Sequence, residues 1–133
     1  MKAITSKVTR SLPMGAEVDV CDNSGAKVIR IYAVRGHKTV KGRLQACGVG
    51  DFVWASVKKG KPDMKKQKVN AIIVRQKKEF RRPDGTRVKF EDNAAVVLKD
   101  DKGNPKGTLI KGPVAKEVTM RWPAVAKISK VVV

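Results

Sequence analysis

His37, the one histidine of the sequence, stands in a run of cations formed by Arg35, Lys38, Lys41 and Arg43. That is a poor place for a general base, which needs an orienting carboxylate. Cys21 and Cys47 are far apart and have no ligand-like neighbours, so with a single histidine the usual Cys and His set for zinc cannot be completed. They read as two free thiols of a reducing cytosol, with one disulfide as the other reading. Asp22, Glu91 and Asp92 could be gathered around a cation. Each lies beside turn residues, though, where capping backbone N–H groups and pairing with nearby cations is the simpler use. The run from Gly103 to Thr108 lacks the spacing and the lysine of a phosphate-binding loop. No catalytic group, metal or cofactor is expected, and the sequence makes no case for an enzyme.

What remains is electrostatic chemistry. Thirty Lys and Arg oppose twelve Asp and Glu, a formal net charge of +18. An excess of this size repels itself in a compact chain unless a polyanion neutralises it. Nucleic acid, an anionic membrane or an acidic protein could do so. A membrane fits worst, since no apolar run could span one and no amphipathic basic helix is evident. The first thirteen residues lack the apolar stretch of a secretory signal.

The charge is concentrated. Residues 35–89 hold seventeen Lys and Arg against four acids. They fall in three runs: Lys38, Lys41 and Arg43 with Arg35; Lys58, Lys59, Lys61, Lys65, Lys66 and Lys68; and Arg75, Lys77, Lys78, Arg81, Arg82, Arg87 and Lys89. Ordinary surfaces mix both signs, and this region does not. Phosphate contacts position a protein without reading bases, so folded RNA recognised by shape is the expected ligand.

Short strands between glycine-containing turns would position these cations. Residues 17–21 and 27–34 alternate in character around Asp22-Asn23-Ser24-Gly25 and read as a hairpin. In the second of them Val28, Arg30, Tyr32 and Val34 share one face, and Ile29, Ile31 and Ala33 the other. Residues 51–57, 69–74 and 94–98 are further strands, the latter two rich in aliphatic residues. Residues 77–80 and 86–90 flank Pro83-Asp84-Gly85 and read as a second hairpin. Gly103-Asn104-Pro105 turns the chain before residues 108–110. Pro113 suits the first position of a helix, with Val114, Val118 and Trp122 on one face and its end near Arg121. Pro123 could open a second short helix carrying Val125 and Ile128, and Val131 to Val133 should pack as a strand or anchor.

Several short strands at regular spacing argue a small β-barrel, mainly β, in one domain over residues 1–133. Residues 1–12 form an N-terminal extension, and residues 112–133 form short helices and a tail. Aromatic residues are scarce. Phe52 and Trp54 share a strand face opposite Val53, Ala55 and Val57, and either meet a partner or pack under a loop or the C-terminal helices, the second being preferred. Trp122 reads as the anchor of its helix.

Residues 71–97 carry a specific pattern: Ala71, then Ile72-Ile73-Val74, Asp84-Gly85, Phe90, Asn93 and Val96-Val97. It resembles the signature of the universal large-subunit ribosomal protein L-fourteen family. Asp22-Asn23-Ser24-Gly25-Ala26-Lys27, Gly48-Val49-Gly50-Asp51, Arg75-Gln76-Lys77-Lys78, Arg81-Arg82-Pro83-Asp84-Gly85 and Gly112-Pro113-Val114 agree with it. The run from Arg87 to Ala95 and the tail through Trp122 are most similar to the archaeal branch. Cys21 and Trp54 depart from the residues usual in the family.

The resemblance implies a five-stranded β-barrel with a projecting β-hairpin and short C-terminal helices. It implies a cytoplasmic, ribosomal place on the intersubunit surface of the large subunit. The implied partners are large-subunit rRNA, neighbouring large-subunit ribosomal proteins, small-subunit rRNA at bridges, and a subunit anti-association factor. Lys58, Lys59, Arg75, Lys77, Lys78, Arg81 and Arg82 become the leading rRNA contacts, and Glu117, Arg121 and Trp122 the expected partner or bridge surface. Gly25 and Gly85 should take positive φ in their turns, and Asn23 and Asn93 should bond local backbone. A stand-alone β-barrel RNA chaperone and an RNA enzyme are the competing readings.

Overall fold

In the computed structural model, which describes residues 2–133, the alternating segments become strands. In chain order they are β1 (Leu12–Pro13), β2 (Glu17–Val20), β3 (Ala26–Val34), β4 (Ala46–Cys47), β5 (Phe52–Gly60), β6 (Lys68–Arg75), β7 (Phe80–Arg81), β8 (Arg87–Val88), β9 (Ala94–Leu98) and β10 (Pro113–Val114). Helices α1 (Lys116–Arg121) and α2 (Pro123–Ile128) follow, then β11 (Val131–Val132). Strands β2, β3, β5, β6 and β9 close a barrel in that order. Neighbours are antiparallel except β2 and β9, which pair in parallel and complete the closure. Closure removes the free strand edges that would otherwise invite aggregation.

Period-two alternation fills the barrel. Val18, Ile29, Ile31, Val53, Ala55, Val57, Ala71, Ile73, Ala95 and Val97 point inward and are sealed from solvent. The opposite faces of β5, β6 and β9 offer Phe52, Ile72, Val74, Ala94 and Val96, which Val118, Trp122 and Val125 of the helical segment cover. Strand β9 is therefore buried on both faces, which explains its unbroken apolar sequence. Burying Phe52 and Val118 contributes roughly 2 kcal/mol each by apolar area removed from water. The Trp122 indole N–H donates to the Gly50 carbonyl at 2.9 Å, and its ring lies 6.0 Å from that of Phe52. Phe52 thus packs beneath the C-terminal helices, and Trp122 anchors them.

Four details differ from the pattern of the sequence. A bulge in β3 between Ile31 and Ala33 turns Val34 into the barrel, opposite Val53, and away from the face of Arg30 and Tyr32. Pro113 does not open a helix. Its extended backbone pairs with β11, Val133 N–H donates to the Val114 carbonyl, and helix α1 begins only at Lys116. Residues 108–110 form no strand; Ile110 makes one isolated bridge to Asp22. The tail does pair as a strand, but Val131, Val132 and Val133 stay about half exposed (53%, 49% and 47%).

Cys21 and Cys47 are free and buried. Burial pushes the Cys21 thiol up to about 11, against a partial offset from Arg75; burial, helped by the Asp51 carboxylate, pushes Cys47 up to about 12. Both folded values exceed the ordinary 9.0. Their contribution to stability is therefore complete below pH 9 and declines as pH rises towards 11 and 12. At pH 8 an aromatic disulfide reagent should react with neither thiol of the native protein within minutes, and with both at once in denaturant. Rapid labelling of the native protein would show that these sites open readily.

Candidate nucleic-acid interface

The second hairpin is shorter and tighter than its sequence suggests, because only Phe80↔Val88 and Arg81↔Arg87 pair across it. Its turn is built from Pro83-Asp84-Gly85: Arg82 N–H donates to the Thr86 carbonyl at 2.8 Å, and Gly85 takes φ +89. Thr86 N–H donates to the Asp84 carboxylate at 2.9 Å, and that bond first of all holds the Asp84 carboxyl below its ordinary range. Phe80 anchors the hairpin in the outer core, leaving the other face to solvent.

That exposed face is a row of cations. Arg81 and Arg87 are directly opposed across β7 and β8, and Lys7 of the N-terminal segment bridges to Arg81 from the other side. Directly opposed residues share a face, so Lys7, Arg81 and Arg87 lie side by side with no ion pair to an acid among the described residues. Like charges placed directly opposite destabilise a strand pair. A bridging phosphate would convert that repulsion into charge-assisted hydrogen bonds. Lys77, Lys78 and Lys89 are exposed at the root of the hairpin, with Lys78 reaching Glu79 at 3.1 Å.

Two further basic segments lie elsewhere on the fold, the first of them at the opposite end of β6 from the hairpin. Lys58 and Lys59 close β5, and Lys61, Lys65, Lys66 and Lys68 surround Met64, whose side chain is buried in the floor of the barrel. Bonds from Lys66 N–H to the Val57 carbonyl and from Val57 N–H to the Gln67 carbonyl fasten this loop, so its lysines project from a fixed backbone. Lys38, Lys41 and Arg43 lie on the exposed loop between β3 and β4. His37 is held there by a structural bond, its Nδ1 accepting from Ala46 N–H at 3.1 Å.

Five of the singled-out residues are engaged inside the protein. Arg75 is 8% exposed and forks onto Asp92 at 2.8 and 3.0 Å, while its Nη1 donates to the Lys111 and Pro113 carbonyls. Arg82 forks onto buried Glu117 and also donates to the Val133 carbonyl. Glu117 accepts from Ser6 as well, so the N-terminal segment, hairpin and α1 meet at one carboxylate, with the tail joined through Arg82. Arg121 reaches Gly50 and Asp51 at 3.3 and 3.4 Å, and Trp122 is buried.

Other polar residues fix these loops. Asp22 accepts from Ser24 and from Val97 N–H. Asn23 ties its turn to Thr108, and Asn93 accepts from Lys77 N–H, so both asparagines join distant segments and not their own turns. Sequence reasoning missed Lys7 and Gln76. The Gln76 side chain is fully buried, accepts from Val49 N–H and donates to the Thr9 and Lys78 carbonyls. A lone amide ending the apolar run of β6 was the available signal for it.

The concavity beside the hairpin root is closed around an internal clamp. About 600 Å³ in volume, it is lined by Arg75, Lys89, Phe90, Glu91, Asp92, Gly112 and Pro113, and its central guanidinium is already satisfied. Among the described residues no three Cys, His, Asp or Glu side chains gather to hold a metal, and no helix is long and apolar enough to cross a membrane.

A family model described as "Ribosomal protein L14p/L23e" matches residues 11–133. The chain is 56% identical over 133 residues to the "Large ribosomal subunit protein uL14" of Nanoarchaeum equitans, covering 100% of both chains. It is 54% identical over 132 residues to the protein of that name from Methanococcus maripaludis, covering 99% of each. Against the one from Methanocorpusculum labreanum it is 49% identical over 133 residues, again with 100% of both covered.

Proposed function

The chain belongs to the ribosomal protein L14p/L23e family, alongside archaeal relatives, and from that premise we propose that it is a structural constituent of the large ribosomal subunit, held to rRNA by its cationic hairpin and lysine loops. It has no catalytic role, and its place is the ribosome, in the cytoplasm. The observation that carries the rRNA reading is the unpaired row of Lys7, Arg81 and Arg87. Three cations are held at strand spacing, two on the hairpin and Lys7 on the segment that bridges to it, a geometry that fits the phosphates of a folded backbone.

Within this reading the rRNA-facing set is Lys38, Lys41, Arg43, Lys58, Lys59, Lys61, Lys77, Lys78, Arg81, Arg87 and Lys89, with Lys7 added. Arg75 and Arg82 hold the elements that present them. The helical end and the half-exposed Val131 to Val133 form the side turned to ribosomal protein neighbours, small-subunit rRNA bridges or an anti-association factor. Glu117 and Trp122 shape that side from within, and Arg121 borders it.

Replacing Lys77, Lys78, Arg81 and Arg87 together by alanine tests the rRNA contact, because none of the four holds the fold. Each lost phosphate contact lowers the slope of log K against log salt by about 0.7–0.9, so the quadruple variant should lose roughly 3 in slope. A titration of large-subunit rRNA across salt concentrations measures it. An unchanged slope would remove the hairpin from the interface. Retention of the wild-type chain in large-subunit fractions after a high-salt wash tests the structural role itself, and release at moderate salt would favour a transient factor.

A further inference from the structure

The outer face of the barrel carries an aromatic pair that the hairpin reading does not use. Register places Arg30 opposite Ser56 and Ser56 opposite Lys68, all on the face turned away from Ile31 and Ala55. The next rung is irregular. The bulge between Ile31 and Ala33 sets both Tyr32 and Ala33 against Trp54, and Trp54 in turn pairs with Asn70. Tyr32, the chain's single tyrosine, stands on the outer face beside Trp54 and is 45% exposed. Among the described residues no hydrogen bond or ring contact engages its side chain. Trp54 is only partly buried, braced edge-on by Phe52 at 5.7 Å between ring centroids.

Two partly exposed rings on adjacent strands, next to Arg30 and Lys68, match the chemistry of an unpaired nucleotide. A base can stack on a ring while guanidinium and ammonium groups take the flanking phosphates. We propose that this rung of β3, β5 and β6 is a binding site for single-stranded RNA, with Tyr32 as the stacking residue and Trp54 beside it. The site rests on the RNA-binding reading above and deepens it: the hairpin meets folded backbone, and the barrel face takes an unpaired base. An acidic protein segment would satisfy Arg30 and Lys68 equally well, but it gains nothing from a ring face.

A bulge is an unfavourable interruption of an otherwise regular pair, and here it has a definite consequence. With regular pairing Tyr32 alone would face Trp54, and Ala33 would turn inward like Ile31. The extra residue in β3 leaves Tyr32 outside beside Ala33, where it adds nothing to the core, and gives the inward place to Val34.

The test uses the full-length protein and an oligoadenylate hexamer of RNA, followed by tryptophan emission. Trp122 is buried and hydrogen-bonded, so a change on titration reports Trp54. Emission should be quenched by the single strand and not by an adenylate–uridylate duplex of equal length. Loss of one stacked base weakens single-strand binding by about 5- to 150-fold. Tyr32→Ala should show a loss in that range, and Tyr32→Phe should bind nearly as wild type. Because Tyr32 is exposed, the alanine variant should keep its unfolding midpoint, which the same samples can verify. Equal affinity of Tyr32→Ala and wild type, equal quenching by the duplex, or equal quenching by oligoglutamate would each overturn the site. None of those results touches the hairpin, whose quadruple alanine variant should still quench with the hexamer while losing rRNA affinity.

Discussion

Arg75→Met should destabilise the protein by about 3–4 kcal/mol, a change read from the midpoint of denaturant unfolding. The guanidinium makes four hydrogen bonds: two to Asp92 beyond β8, and one each to the carbonyls of Lys111 and Pro113, which lead into the helical end. Methionine fills similar space but returns none of them. The Asp92 carboxylate keeps 39% exposure and can rehydrate, whereas the Pro113 carbonyl is only partly accessible. The same substitution decides between two roles for Arg75. As a phosphate contact it would lower the salt slope of rRNA binding by about 0.7–0.9 and leave stability alone. As an internal clamp it would lower stability and disturb both surfaces together. Arg75→Lys sharpens the distinction, because an ammonium restores the charge without the planar fork. It should lose most of what methionine loses. Full recovery by lysine would mean that charge alone matters there.

Glu117→Ala should destabilise by about 3 kcal/mol, the lower end of the range for breaking a buried pair, because Arg82 retains a path to water. For a chain of this size that lowers the melting temperature by roughly 10 °C. The Glu117 side chain is 4% exposed against 17% for Arg82, so the carboxylate is the more deeply held partner. Removing it frees Ser6, Arg82 and, through Arg82, the Val133 carbonyl. The N-terminal segment, hairpin and tail lose a common fastening, and amide exchange should quicken at all three. Glu117→Gln keeps the acceptor and should lose less, about 1–2 kcal/mol. If exchange rose only within α1, the carboxylate would be a local helix feature and not the junction of four segments.

Much of the barrel was legible in the sequence. Side chains alternate across a strand, so the two faces of β3 and of β5 could be separated, and the turns at Asp22–Gly25 and Pro83–Gly85 marked strand ends. The bulge at Tyr32 was not legible, since one extra residue leaves the composition of a strand unchanged while reversing the face of Val34. Pro113 also misled. Its fixed φ suits the start of a helix, but the chain stays extended through Val114 because β11, eighteen residues further along the chain, pairs with it there.

By itself the sequence determined that the protein is a small, mainly β, strongly cationic chain that calls for a polyanionic partner. These properties are sums over residues or periodicities within a few of them, and neither needs a tertiary contact. The tertiary structure alone decided which cations are free to meet that partner. Arg75 and Arg82 carry the same charge, in the same kind of basic run, as Lys78 and Arg81. The first two nonetheless meet Asp92 and Glu117, seventeen and thirty-five positions away, while Arg81 meets only like charge. Whether a charge is paired depends on what long-range register brings within about 4 Å of it, and an unpaired, exposed cation is the one left for a phosphate.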